Sequence, residues 1–192
     1  MIMMRKPSGE QIKTFIEQQS LQPFSYPDLE ATRGPAPAGY TVDHHRVQLG
    51  RGEIVYQRAR KALLRWRMFE LSWVQLCWPI VAIQPGNTIG LLTRVGGTWW
   101  LNACRVVYTY DEGGEVERVG FAYGTLPEHA ERGEERYGVE WNHADDTVWY
   151  ETLGYSQPNH RLARLGAPLA RRTQQRFAAD SQQAMLRAVG GR

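Results

Sequence analysis

The chain has 192 residues, 42% of them hydrophobic and 22% charged, with a formal net charge of +3, a balance that fits a folded globular domain and excludes a disordered or fibrous one. Its two cysteines, Cys77 and Cys104, cannot build a disulfide framework and stand in no zinc-ligand spacing, so no metal or other cofactor is implied. Apolar stretches are broken by charge, Pro or Gly before the roughly 18 to 20 residues of a bilayer crossing, and the first twenty lack a signal-peptide core, so a cytoplasmic address is expected.

Ser8-Gly9-Glu10-Gln11 fits a capping box, and the stripe Ile12, Phe15, Ile16 predicts a helix over about residues 9–19. Pro23 to Gly39 carries four prolines and two glycines, a density no regular element tolerates, and reads as a surface connector anchored by Phe24, Tyr26 and Leu29. Tyr40–Gly50 predicts a strand. Ile54, Val55, Ala59, Ala62, Leu63 and Trp66 recur at helical spacing and predict a helix over 53–66. The period then changes to two. Phe69, Leu71 and Trp73 alternate; Ile80–Gln84, Thr88–Val95, Thr98–Tyr110, Val116–Thr125, Arg136–Asn142 and Thr147–Tyr155 read as strands, six or seven in all, with Leu126–Gly133 as a loop. After a second connector, Pro158–Gly166, a long helix runs from Pro168 to Gly190. This order is α+β, one domain over 1–192, with residues 1–39 as helix and connector and 40–192 as core. A curved sheet around a terminal helix commonly leaves an apolar cavity suited to a small molecule.

Charge is polarised along the chain. Residues 111–151 hold twelve acids and three arginines, whereas 158–192 hold seven arginines and one acid. Mutual pairing of the two segments is the simplest expectation. An arginine face over Arg161–Arg176 that binds nucleic acid or another anion is the sharper alternative, disfavoured because few aromatics interleave the arginines and the acids would repel the same partner.

The run Gly120-Phe-Ala-Tyr-Gly-Thr-Leu126-Pro-Glu-His129-Ala-Glu-Arg-Gly133-Glu-Glu135 resembles the signature of the uncharacterised domain of unknown function family 1990. Phe24-Ser-Tyr26, Gly39-Tyr40, Leu49-Gly-Arg-Gly52, Ala62-Leu-Leu-Arg-Trp66, Cys104-Arg105-Val106-Val107 and Ser156-Gln-Pro158 agree in order, although Gln157 stands where members often carry arginine. The resemblance implies a helix-grip fold like that of the START and pollen-allergen domains, and no established reaction.

Tyr123, His129, Glu134 and Glu135 lie within thirteen positions and are the candidate acid and base groups if the fold converges them. The bland reading has His129 tying its loop together while the glutamates face solvent or arginines. Strand alternation turns one of Cys104 and Arg105 inward: either Arg105 faces out toward the acidic hairpins, or it is a buried cation needing Glu134, Glu135 or an anionic ligand. Trp99 and Trp100 cannot both point inward, so one faces the surface or lines an opening. The first expectation is a binding module for a small, largely apolar molecule held by Trp99, Trp100, Tyr123, His129 and Phe177, with Arg105 as a possible polar contact. The second is a hydrolase, cyclase or isomerase using His129 with Glu134 or Glu135. The third is an arginine-rich interaction protein.

Overall fold

A computed structural model describes residues 1–77, 81–159 and 167–190, with side chains from residue 170 onward in the last segment. Eight strands, β1 (Ile2–Met3), β2 (Thr41–Arg51), β3 (Val74–Cys77), β4 (Thr88–Val95), β5 (Thr98–Glu112), β6 (Val116–Thr125), β7 (Glu131–Asn142) and β8 (Thr147–Pro158), join three helices, α1 (Gly9–Ser20), α2 (Glu53–Leu63) and α3 (Ala167–Gly190). The sheet is antiparallel in the order β2-β8-β7-β6-β5-β4-β3, with β1 added to β5. Ladder slips at Gln48/Gly50 in β2 and at Val106/Tyr108 in β5 insert extra residues, and such bulges bend a strand and raise its twist. The expected α+β helix-grip architecture is what forms: a curved sheet gripping a C-terminal helix.

α3 lays Ala178, Ser181, Ala184, Met185 and Val189 on the sheet, a stripe at helical spacing that meets Phe121, Tyr137, Val139 and Tyr150. Fully burying a side chain such as Met185 stabilises by about 1.5–3 kcal/mol. α2 packs Tyr56, Ala59, Ala62 and Leu63 into the same core. On the opposite, convex face, α1 buries Ile12, Phe15 and Ile16 against Leu92, Leu101, Ala103 and Leu126. Its start is the expected capping box, with the Gln11 amide donating to Ser8 Oγ at 3.2 Å and Ser8 N–H donating to Gln11 Oε1 at 2.8 Å.

Several boundaries move from their expected places. α2 stops at Leu63 because Trp66 adopts a left-handed backbone, φ 59°, and Phe69 sits in the following 3-10 turn rather than a strand. The expected Ile80–Gln84 strand does not form over Val81–Gln84, and Ile80 lies outside the described residues, as does Trp78. The carbonyls that would enter a ladder are taken by side chains, Val81 O by Trp66 Nε1 at 3.0 Å and Ala82 O by Asn87 Nδ2 at 2.9 Å. β7 begins at Glu131, within the expected loop. Arg161, Arg164 and Arg192 of the basic segment lie outside the described residues, and among the described ones no ion pair joins the two charged segments. Acids of 111–151 bind Arg46, Arg60, Arg118 and Arg136, while on α3 Arg171 binds Asp43 and Arg176 binds Asp180.

The connector after α1 crosses the convex face on a bed of glycines. Gly120 and Gly138 are cross-strand partners, and a Cβ on either would run into the Tyr110 hydroxyl, so Tyr110 lies flat across β6 and β7. Gly124 gives Tyr26 the same clearance. Tyr26 then donates to Glu134 Oε2 at 2.9 Å; the same carboxylate accepts from the Glu30 amide at 2.9 Å, the Thr32 amide at 3.1 Å and the Thr32 hydroxyl. Glu134 is 2% exposed, so these four donors replace its water. Glu134→Ala, which leaves buried donors unpaired, is expected to cost about 3 kcal/mol in urea unfolding and to open the 23–39 connector to limited proteolysis.

Candidate functional site

Consecutive strand residues face opposite sides of a sheet, so Glu134 and Glu135 cannot share a site. Glu134 belongs to the convex clamp. Glu135 points to the concave face beneath α3, where its strand neighbours Tyr137 and Glu131 and its register partner Tyr123 point as well. Tyr123 donates to Glu135 Oε2 at 2.9 Å and Tyr137 donates to the same oxygen at 2.6 Å, with 2.9 Å between the two phenol oxygens. Three oxygens therefore form three short contacts with two phenolic hydrogens between them. A third hydrogen enters when Glu135 is protonated, and burial pushes its pKa in that direction, helped by Glu131 and Asp43 and opposed by the two phenols. Burial and the Glu135 charge hold both phenols well above the usual tyrosine range.

Aromatic rings wall this triangle. Phe69 stacks at 6.3 Å from Tyr123, lies 5.7 Å from Tyr137 and meets Phe177 of α3 at 5.6 Å, and Trp73 stands edge-on to Phe177 at 6.5 Å. Toward the N-terminal half of α3 the contacts become polar. Gln174 donates to Glu131 Oε2 at 2.5 Å and to Ser156 Oγ at 3.1 Å, and Arg171 pairs with Asp43. Burial raises the Glu131 pKa against the hydrogen bonds of Ser156 and Gln174. Toward the C-terminal half, Tyr150 and Ser181 share a hydrogen bond of 2.7 Å beside the cluster that holds Leu63, Val139, Val148, Met185 and Val189.

Of the residues expected from the sequence, Tyr123, Glu135 and Phe177 meet here. Trp100 shares the concave parity of Cys104 two turns of the pleat away, with its indole N–H donating to Thr98 Oγ1 at 2.8 Å. Trp99 takes the convex side, between Lys6 and Arg94 at 5.4 and 5.7 Å from its ring. Arg105 is on that side too, but carbonyls rather than the expected acids receive it: one guanidinium nitrogen donates to Gln19, Ser20 and Gln22 O at 3.3, 2.7 and 2.8 Å, capping α1. His129 holds the β6–β7 connection, its amide donating to Leu126 O at 2.9 Å and its Nδ1 accepting from the Glu131 amide at 3.0 Å. Burial pushes the imidazole pKa down to about 4, so the ring is neutral near pH 7. Cys104 is fully buried, and burial raises its thiol pKa far from thiolate chemistry. Among the described residues, no three His, Cys, Asp or Glu side chains are placed to hold a metal ion.

Tyr137, Glu131, Gln174 and Phe69 complete the site and were not singled out from the sequence. Their signal was parity: a strand extended back to residue 131 lines up 131, 135 and 137 on one face.

The family model described as "Domain of unknown function (DUF1990)" matches residues 25–184. A UPF0548 protein of Dictyostelium discoideum is 36% identical over 209 residues, covering 99% of this chain and 96% of that protein. A UPF0548 protein of Deinococcus radiodurans is 33% identical over 204 residues, covering 99% of this chain and 100% of that one. Among solved structures, Ara h 8.0201 is similar in fold, with a TM-score of 0.51 at 9% identity over 80% of this chain and 100% of that one.

The raised carboxyl at position 135 has a signed consequence. A folded pKa above the ordinary 4.5 means stability that is full below pH 4.5 and is lost as pH rises through the folded value. Glu135→Gln is expected to remove this loss, so that its denaturation midpoint gains on wild type between about pH 4.5 and neutrality; His129, shifted downward, acts with the opposite sign and is common to both proteins.

Proposed function

We propose that this chain, which belongs to the DUF1990 (UPF0548) family, binds a small, largely apolar molecule between the concave face of its sheet and α3, with Glu135 at the polar end of the site. The observation that carries the reading is the asymmetry of the Glu135 carboxylate: Oε2 accepts both phenols, while Oε1 has no hydrogen-bond partner among the described residues. A ligand hydroxyl or N–H would complete the carboxylate, and Phe69, Tyr123 and Phe177 would cover its apolar part. Trp100 shares the parity of this face but lies six residues along β5 from Val106, the partner of Tyr123, and so outside the site, while Trp99, Arg105 and His129 would support its frame. An aqueous, cytoplasmic setting suits this reading; among the described residues no helix is long and apolar enough to cross a membrane.

The triangle of Tyr123, Tyr137 and Glu135 supports a second reading in which the site also transfers protons. A carboxyl lifted above its ordinary value is a better general acid near neutral pH than a free glutamate, and Tyr123 stands within one hydrogen bond to relay or restrain the proton. His129 and Glu134 have no part in it, since one holds a loop and the other the convex clamp.

Native mass spectrometry of protein purified from its own host, followed by organic extraction, tests both readings. A stoichiometric apolar compound that rebinds to wild type but about tenfold more weakly to Glu135→Gln and to Phe177→Ala is the expected result. A clean apo mass together with failure to rebind any extracted compound would sink the binding reading. A compound that exchanges deuterium from D2O or is returned with altered structure by wild type, and is left unaltered by Glu135→Gln, would establish the proton-transfer reading.

A further inference from the structure

α2 presents to solvent a face that neither the fold nor the proposed site uses. At about 100° per residue, Ile54, Gln57, Arg58 and Lys61 of α2, continued by Leu64 and Arg65 in the hydrogen-bonded turn that closes it, fall within an arc of about 120°, opposite the buried Tyr56, Ala59 and Leu63. Ile54 is 70% exposed and Leu64 is 44% exposed, placing two aliphatic side chains about 15 Å apart along the axis. Arg58, Lys61 and Arg65 lie between and beside them and enter no ion pair among the described residues; Arg58 donates only to the Val189 carbonyl at the end of α3, at 3.3 Å. The neighbouring cations are already engaged, Arg60 with Asp111 and Arg67 with Glu70. Glu53, at the margin of the arc, is the single acid on it. Two shallow depressions follow this face, lined by Glu53, Ile54, Gln57, Arg58 and Lys61 in one and by Gln57, Arg60, Lys61, Leu64 and Arg65 in the other.

From this arrangement we infer that the outer face of α2 docks on an anionic phospholipid surface. Unpaired cations on a solvent-facing arc call for an anionic partner by charge complementarity. The two aliphatic side chains beside them select the kind of anion: they gain by entering the boundary between head groups and acyl chains, and they have nothing to gain on a phosphate backbone in water. With three cations and two aliphatic residues the attachment is peripheral, reversible and salt-sensitive. It is independent of the site beneath α3, which faces the other side of the helix.

Flotation of the full chain with phosphatidylcholine vesicles containing about a third phosphatidylserine tests this, beside pure phosphatidylcholine, at about 0.05 M and 0.5 M salt. Expected are binding to the anionic vesicles alone, a loss of at least about tenfold for Lys61→Glu/Arg65→Glu and at high salt, and a loss of several-fold for Ile54→Ser/Leu64→Ser. All four positions are exposed, so circular dichroism and melting should match wild type; the assay is repeated with Arg5→Glu as a charge control elsewhere on the surface. Equal binding to neutral vesicles, no binding to anionic ones, or loss equal in the control overturns the inference. So does retention of a short DNA duplex through Lys61 and Arg65 that is indifferent to Ile54→Ser/Leu64→Ser, which would make the face a nucleic-acid surface instead.

Discussion

Everything in this molecule turns on the pleat of β7 at residues 134 and 135. Two identical side chains on adjacent residues are sent to opposite faces, and each organises the face it reaches. Glu134 finds four donors from the connector and becomes the fastening of the convex side. Glu135 finds two phenols and an aromatic wall and becomes the polar centre of the concave side. The register on both flanks of β7 must hold for this to work, because Tyr123 is placed by β6 and Ser156 by β8. A slip of one residue would exchange the two carboxylates, leaving one without its donors and the other without its phenols.

The glycines flanking this pair belong to the same constraint. Gly133 has φ +150° and a Cβ there would strike the Tyr155 carbonyl, so β8 passes closer to β7 at that point than any side chain allows. Gly120, Gly124 and Gly138 leave the convex face bare where Tyr110 and Tyr26 lie down on it. The spacing of the Gly120–Glu135 block is thus a description of two surfaces at once: glycines that admit the connector outside, and tyrosine and glutamate that furnish the interior.

Features governed by neighbours in the chain were legible in the sequence. The Ser8–Gln11 box and the β5–β6 hairpin needed only local chemistry and form as expected, and the α2 periodicity holds from Glu53 to Leu63, three residues short of its expected end. The acidic pair, Tyr123 and Phe177 were legible as residue types but not as a constellation. Reading residues 126–133 as loop removed the parity that separates Glu134 from Glu135, and with it the roles of Glu131 and Tyr137. Arg105 shows a second limit: besides a long contact to Thr88 Oγ1, its partners are three backbone carbonyls at and just after the end of α1, groups every residue has and no side-chain pattern reveals. Val81–Gln84 shows a third, since β-branched content cannot foretell that Trp66 and Asn87 will occupy the carbonyls a ladder requires.

The convex clamp also sets an order of assembly. Tyr26, Glu30 and Thr32 are joined to an acceptor 102 to 108 residues later in the chain. During synthesis they emerge long before Glu134 exists, and even then its carboxylate is positioned only once β7 has paired on both sides. The sheet must therefore close without the segment that will cover it, and until the clamp forms the glycine bed of its outer face is open to water. A segment made early waits for one made much later to give it a place.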